Sequence, residues 1–281
     1  MTHSRPNDAG LVEVVEGTGE RPVLLLCDHA GHKVPEGIGH LGIDQAQLCR
    51  HIGWDIGAAE VTRGLAKRLG VGAILNHASR LLIDPNRRPL APTSIPHVSD
   101  GCVVPGNGHL TRAEARRRFW AYFVPYHRAI ARGIARFRAE GRVPVLVAVH
   151  SFTPEMDGER RPWHVGVLSR GDTRLSVPIL AGLKAKDLRV GDNQPYSGLR
   201  DFGYTVTFHA QRTRLPHVMF EIRQDTLVTP EEADAWSGRL AGLLRPLLDD
   251  PALYRFYEGD NKIAAREIVS WRHASQALPL A

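Results

Sequence analysis

Three short apolar runs constrain this chain more than anything else in it. They are Val23-Leu24-Leu25-Leu26-Cys27, Val145-Leu146-Val147-Ala148-Val149 and Val218-Met219-Phe220-Glu221-Ile222. A strand with one wet face alternates polar with apolar residues, whereas these runs do not, so they read as strands buried within an α/β sheet. Each also ends in, or encloses, a side chain able to bind or serve a metal. The first leads into Asp28-His29, the second into His150, and the third contains Glu221. Open α/β sheets carry their sites beyond the carboxyl ends of the strands, so residues far apart in sequence can meet there.

The spacing between the runs predicts the remaining elements. A helix begins near Asp44, and a second runs from Asp55 to Leu69, stopped by Gly70. Ala73-Ile74-Leu75 and Leu81-Leu82-Ile83 read as short strands. Residues 85–110 are rich in Pro and Gly without a clear period, which predicts a long functional loop. Thr111 and Glu114 form a capping-box pattern that opens a helical stretch to residue 140, with Pro125 expected to kink or restart it. Strands are expected at 163–168, near 204–208 and at 217–223, and helices at 176–186 and 230–248. The first 20 residues are polar and expected to be extended. No internal repeat or linker interrupts the 281 residues, so one α/β catalytic domain spanning 1–281 is the expected organisation.

Composition excludes several classes. No apolar run approaches the roughly 20 residues that span a bilayer. The N-terminus has no apolar signal segment, and the three cysteines, Cys27, Cys49 and Cys102, are odd in number and widely spaced. Together these point to a cytoplasmic protein without a disulfide framework. The net charge of +6 raises the question of nucleic acid. Its densest stretch, Arg112 with Arg116, Arg117 and Arg118, reads instead as the solvated side of a helix. No aromatic residues interleave the arginines to stack bases. The phosphate-loop lysine, the Gly-x-Ser-x-Gly elbow and Cys-x-x-Cys are all absent.

The chemistry-bearing residues follow from position. His29 and His150 both stand at the ends of buried-type strands, where a neutral imidazole is a good zinc ligand. A catalytic zinc takes three protein ligands, and the third is Asp55, Glu36 or His32, with Asp55 favoured although Asp also serves as a helix N-cap. Glu221 lies inside an apolar strand, and carboxylates are almost never buried without a partner. It either pairs with an arginine or faces the metal as general base, its pKa raised by burial. Strand alternation sets Arg223 on the same side as Glu221, a candidate cation for an acidic substrate. Arg80, Asn86 and Arg87 are the other substrate-binding candidates, because a guanidinium grips a carboxylate with two parallel hydrogen bonds. The alternative for that segment is a surface loop with Asp84 paired to one arginine.

These stretches resemble the N-formylglutamate amidohydrolase family. The matching segments are Asp28-His29-Ala30 with Val34-Pro35, His51 to Ala58, Ser79 to Arg87, His150 to Pro154, Gly191 to Tyr196, and Glu221 to Asp225. The family is similar in turn to the zinc-dependent, carboxypeptidase-like hydrolases of the phosphorylase/hydrolase-like fold. The resemblance implies a single domain with a mixed central sheet flanked by helices, zinc dependence, a small acidic N-acyl amino-acid substrate and a place in histidine breakdown. Wider relatives carry an Arg…Asp-x-Asn-Arg segment that holds substrate, which Arg80, Asp84, Asn86 and Arg87 match. Their first ligand pair is His-x-x-Glu; here His32 stands where that Glu would be, and Asp55 looks like its substitute. Deacylation of another N-acyl amino acid is the rival within enzymes, and a basic nucleic-acid- or anion-binding protein the rival outside them.

Overall fold

A computed structural model of the chain describes residues 4–6, 10–89, 91–196 and 203–260. Among these, eight strands form one mixed sheet: β1 Ser4–Pro6, β2 Val12–Val15, β3 Val23–Cys27, β4 Gly72–Asn76, β5 Val145–Phe152, β6 Val165–Leu168, β7 Val190–Asp192 and β8 His217–Arg223. Their order is β1-β2-β4-β3-β5-β8-β6-β7. The central strands β4, β3, β5 and β8 are all parallel, while β2 and β6 run antiparallel to their neighbours in that group. The expected extended N-terminal segment lies partly outside the described residues, and its described part supplies β1 and β2.

Seven helices accompany the sheet among the described residues: α1 Gln45–Leu48, α2 Ala58–Leu69, α3 Arg112–Arg118, α4 Val124–Ala139, α5 Ser176–Lys184, α6 Tyr204–Val206 and α7 Pro230–Leu248. Strand alternation divides the core in two. Val23, Leu25 and Cys27 of β3 point to the face covered by α2 and α7, where Leu65, Trp236 and Leu240 pack. Leu24 and Leu26 point to the opposite face, against Tyr126, Ile130 and Ile134 of α4. Both faces are therefore dry, which is why these strands are apolar throughout. None of the helices is long and apolar enough to cross a membrane.

The chain leaves β3, crosses through α2 to β4 on one side, and later places β5 on the other side of β3. The crevice beyond the carboxyl ends of β3 and β5 is thus the point where the strand order reverses, the place where such sheets hold ligands. His29 follows β3, and His150 lies near the end of β5.

Three local expectations need correction. Leu81-Leu82-Ile83 is a buried turn and not a strand, because both edges of β4 are already taken by β2 and β3. Those side chains close small satellite cores instead. Tyr204 to Phe208, rich in β-formers, is helical and runs through a π-helical turn from Thr207 to Gln211. The reason is tertiary: Tyr204 and Phe208 share one helix face against Phe123, while Val206 and Ala210 pack toward the sheet. Finally, Arg118 is not solvated. It is only 3% exposed, and its guanidinium donates to Leu82 O, Asn107 Oδ1 and Gly106 O, tying α3 to the 82–107 segment.

Two other signals are met in the described residues. Pro125 is preceded by a π-helical turn at Phe119–Phe123, which absorbs the hydrogen bond that proline cannot make. Thr111 caps the start of α3, its hydroxyl accepting the Glu114 N–H at 3.1 Å. The 85–110 segment holds two 3-10 turns and a two-residue-strand hairpin, and its Thr93, Ser99 and Asp100 line the cleft that also holds Asp55 and Arg80.

Candidate active site

The turn after β3 is held in place by Asn76 at the end of β4. Asn76 O accepts from the Ala30 N–H at 2.8 Å, and Asn76 Nδ2 donates to Asp28 O at 3.0 Å. His29 O in turn accepts from the Asp55 N–H at 3.0 Å, which fixes the start of the next segment beside it. Asp55 is not a helix cap. That position is Gly57, in a left-handed conformation at φ 78°, so the Asp55 side chain is released for the site.

His29, Asp55 and His150 converge, with one donor atom from each lying within 4.8 Å of the others, and all three side chains are buried. Asp55 Oδ2 sits 3.2 Å from His29 Nδ1 and 2.8 Å from His150 Nδ1. On its far side, His29 Nε2 meets Asp84 Oδ1 at 2.8 Å. His150 Nε2 lies 3.0 Å from Asp28 Oδ2, at ion-pair distance but without hydrogen-bond alignment. Each imidazole thus stands between two carboxylates. A neutral imidazole has a single N–H and can satisfy only one of them, so the arrangement calls for extra positive charge on both rings.

The electrostatics express the same demand. Burial opposes charge on His29, as does Arg80, yet Asp84 and Asp55 outweigh both and raise its pKa. For His150, burial is likewise overcome by Asp28 and Asp55, and the pKa rises well above the ordinary value. Asp55 is held well below the carboxylate range despite burial, by His29 and His150. A divalent cation held by His29, Asp55 and His150 would replace the protons, leaving the carboxylates behind the rings to orient them. Two imidazoles and one carboxylate, each ring backed by a carboxylate, is a donor set suited to catalytic zinc. The alternatives for the third position lie elsewhere. Glu36 is exposed, and His32 packs on Trp54 and near Cys49.

Glu221 stands opposite His150 in the β5–β8 register. It is 6% exposed, and its Oε2 has no hydrogen-bond partner among the described residues. Burial, reinforced by Asp55, pushes its pKa up to about 7, against the pull of His150, Arg80 and His29.

A cleft of about 320 Å³ opens over this cluster, lined by Asp55, Arg80, Asp84, Arg87, Tyr196 and Gln224 among others. Arg80 donates Nε and Nη2 to Asp84 Oδ2 at 3.2 and 2.9 Å, and Nη1 to Asp55 Oδ1 at 3.2 Å. Arg87 is 3.9 Å from Asp84 and 45% exposed. The other two substrate-binding candidates lie outside the cleft lining. Asn86 accepts the Thr205 N–H on Oδ1, anchoring the start of the 204–211 helix. Arg223 pairs with Asp225 and donates to the carbonyls of Arg161 and Pro162. Ser151, next to His150, gives its hydroxyl proton to Ile56 O at 2.8 Å.

Asp28 and Asp84, the carboxylates behind the rings, are not singled out as such by position in the sequence. The available signal was that both are short acidic residues within apolar surroundings, where a carboxylate needs a partner. Replacing either by Asn is expected to weaken zinc affinity about 10- to 100-fold, which competition with a chromogenic chelator measures. Unchanged affinity in both variants would remove these two residues from the site.

A mixed sheet whose switch-point crevice gathers buried imidazoles and carboxylates has the layout of an α/β enzyme, and its family makes it a hydrolase acting on amide bonds. Residues 21–228 match the N-formylglutamate amidohydrolase family, and the chain belongs to it. It is 25% identical over 247 residues to the N-formylglutamate deformylase of Pseudomonas aeruginosa, covering 82% of this chain and 91% of that one. Among solved structures, the gene product Atu2144 from Agrobacterium tumefaciens is 36% identical, with a TM-score of 0.80 over 85% of this chain and 94% of its own. The N-formylglutamate amidohydrolase from Ralstonia eutropha JMP134 shares the fold at a TM-score of 0.62 and 19% identity, over 84% of this chain and 98% of that one.

Proposed function

We propose that this chain hydrolyses the formyl amide of N-formyl-L-glutamate to formate and L-glutamate, using a divalent cation, zinc by its donor set, held by His29, Asp55 and His150. The observation that carries this reading is Glu221: a buried carboxylate with an unpartnered oxygen, set across one strand register from a member of the His-Asp-His group. A cation held there supplies Lewis-acid polarisation of the formyl carbonyl and lowers the pKa of a water.

The chain's own residues do the rest. Glu221 accepts the proton of the attacking water and returns it to the leaving amine nitrogen, a task that suits a carboxylate titrating near neutrality. Arg80 uses three of its five N–H groups on Asp55 and Asp84, so it is aligned in advance and keeps two for the oxyanion that develops on the formyl group. Arg87, more exposed and beside Asp84, is placed for the substrate's α-carboxylate.

Zinc-loaded protein is expected to cleave N-formyl-L-glutamate with a kcat/KM at least about tenfold above that for the N-acetyl and N-succinyl analogues, and to lose this activity on chelation. An extra group in a fitted pocket is discriminated by about that factor. Preference for a larger acyl group would make the chain a different deacylase, and activity that survives chelation would remove the metal from the reading.

A further inference from the structure

An acidic substrate entering this cleft meets the carboxylates of Asp55, Asp84 and Asp100 in its lining, so the cations that remain uncompensated decide what can bind. Arg80 is matched by Asp84 and Asp55. Arg50, beside the cleft residue Asp100, is paired with it. Arg161 is different. Its Nη1 donates to the Tyr196 hydroxyl at 3.2 Å and its Nη2 to the Met156 sulfur at 2.9 Å. The guanidinium carbon lies 5.1 Å from the centre of the Tyr196 ring and 6.0 Å from that of Phe152. None of these neighbours is a carboxylate, and no ion pair to Arg161 occurs among the described residues. Arg161 itself lines an adjoining pocket with Pro162, Arg189 and Arg223, but Tyr196, Met156 and Phe152, which its guanidinium touches, all line the cleft, so it stands directly behind the cleft wall.

The backbone of Arg161 is also fixed. Its N–H donates to Pro154 O at 2.8 Å, closing the small hairpin that carries it. Arg223 donates to its carbonyl at 3.2 Å and to that of Pro162 at 3.1 Å. A guanidinium held at both ends, set against aromatic rings and without a carboxylate partner among the described residues is organised in advance for an anion. Its distance from the reacting centre is set by β5. Phe152 lies two residues past His150, roughly 7 Å along the strand. Arg87, by contrast, neighbours Asp84, whose other oxygen holds His29.

From this placement we propose that Arg161, oriented by Tyr196, binds the side-chain carboxylate of the substrate, while Arg87 receives the α-carboxylate. The inference rests on the reading of the site given above and narrows it: the pocket selects dicarboxylic N-acyl amino acids over those with neutral side chains.

The test pairs binding with kinetics. L-Glutamate, L-glutamine and L-isoglutamine are titrated calorimetrically into the zinc-loaded wild type and the Arg161→Gln, Arg161→Lys and Tyr196→Phe variants. KM and kcat are measured with N-formyl-L-glutamate and N-formyl-L-glutamine. The wild type is expected to bind glutamate about 10- to 100-fold more tightly than glutamine, the range of a charge-assisted hydrogen bond. Arg161→Gln should bind the two alike, with KM for N-formyl-L-glutamate raised by a similar factor and kcat changed by less than about threefold. Arg161→Lys should recover part of the preference, and Tyr196→Phe should lose a smaller part, about threefold to tenfold. A merely structural role would lower affinity for glutamine equally. The proposal falls if the wild type shows no preference, if Arg161→Gln retains it, or if that variant loses discrimination against isoglutamine instead. A wild type that binds glutamate through Arg161 but leaves N-formyl-L-glutamate uncut would refute the assigned reaction and keep the subsite. A wild type that cleaves it while Arg161→Gln behaves identically would do the reverse.

Discussion

Glu221→Gln is expected to keep its zinc and to lose turnover by about a hundred- to ten-thousand-fold, the usual worth of a positioned general base. The amide preserves the shape of the carboxylate but cannot accept the water proton. Because Glu221 is outside the His-Asp-His group, metal content by elemental analysis should stay near that of the wild type. Turnover that survives would dismiss Glu221 as the base. Its pKa of about 7 also sets the pH behaviour. A base must be deprotonated, so kcat/KM rises with pH, and since a nearby cation favours the anion, the acidic limb of the holoenzyme is expected at or below pH 7. For stability the sign is opposite. The folded-state pKa lies above the ordinary 4.5, so between those values the native state binds more protons than the unfolded one. Stability of the metal-free protein therefore falls as pH rises from about 4.5 through 7. Glu221→Gln removes this loss, and the metal-free variant should melt at a higher temperature than the wild type at pH 8 but not at pH 4.5. On the proposed reading, a buried carboxylate kept as the base at the expense of stability accounts for the acid in so apolar a strand.

His150→Ala is expected to abolish both zinc retention and measurable hydrolysis. His150 lies between Asp55 and Asp28, so its removal deletes a donor and leaves two buried carboxylates without their shared cation. Breaking a buried pair in this way costs about 3–5 kcal/mol, and the melting temperature of the metal-free variant should drop accordingly. Zinc content and thermal melting, measured together, give the result. A variant that holds zinc as the wild type does would take His150 out of the group, and with it the proposed mechanism. Both imidazoles have raised pKa values, so loading the wild type displaces protons and zinc affinity should weaken steeply toward acid pH.

Much of this is legible along the chain because it depends on local pattern. The apolar runs define β3, β5 and β8, since burial on both faces leaves no room for polar alternation. Thr111 and Glu114 announce α3 because capping is a matter of neighbouring backbone groups. His29 and His150 stand out for the same kind of reason: each sits where a buried run ends. Arg161 does not. Nothing within a few residues distinguishes it from Arg160, and only the hairpin and the Gly191–Tyr196 segment bring it against the wall of the cleft. Arg223 shows the converse, because alternation assigns it a side of the sheet but not a partner, and its guanidinium is taken by two carbonyls and Asp225.

Residues 204–211 and 81–83 mark where local pattern fails. Tyr204-Thr205-Val206-Thr207-Phe208 has the composition of a strand, but packing against Phe123 and the sheet face rewards helical spacing. Leu81 to Ile83 is apolar enough for a strand, but β4 has no free edge to receive it. By itself, then, the sequence determined which segments are buried and which carry donors, because hydrophobic burial and capping act over a few residues. Only the tertiary structure decided which carboxylate backs which imidazole, and which arginine has no counter-ion among the described residues. Those outcomes depend on separations of a few ångströms between residues dozens of positions apart, and on how each charge's neighbours have already been spent.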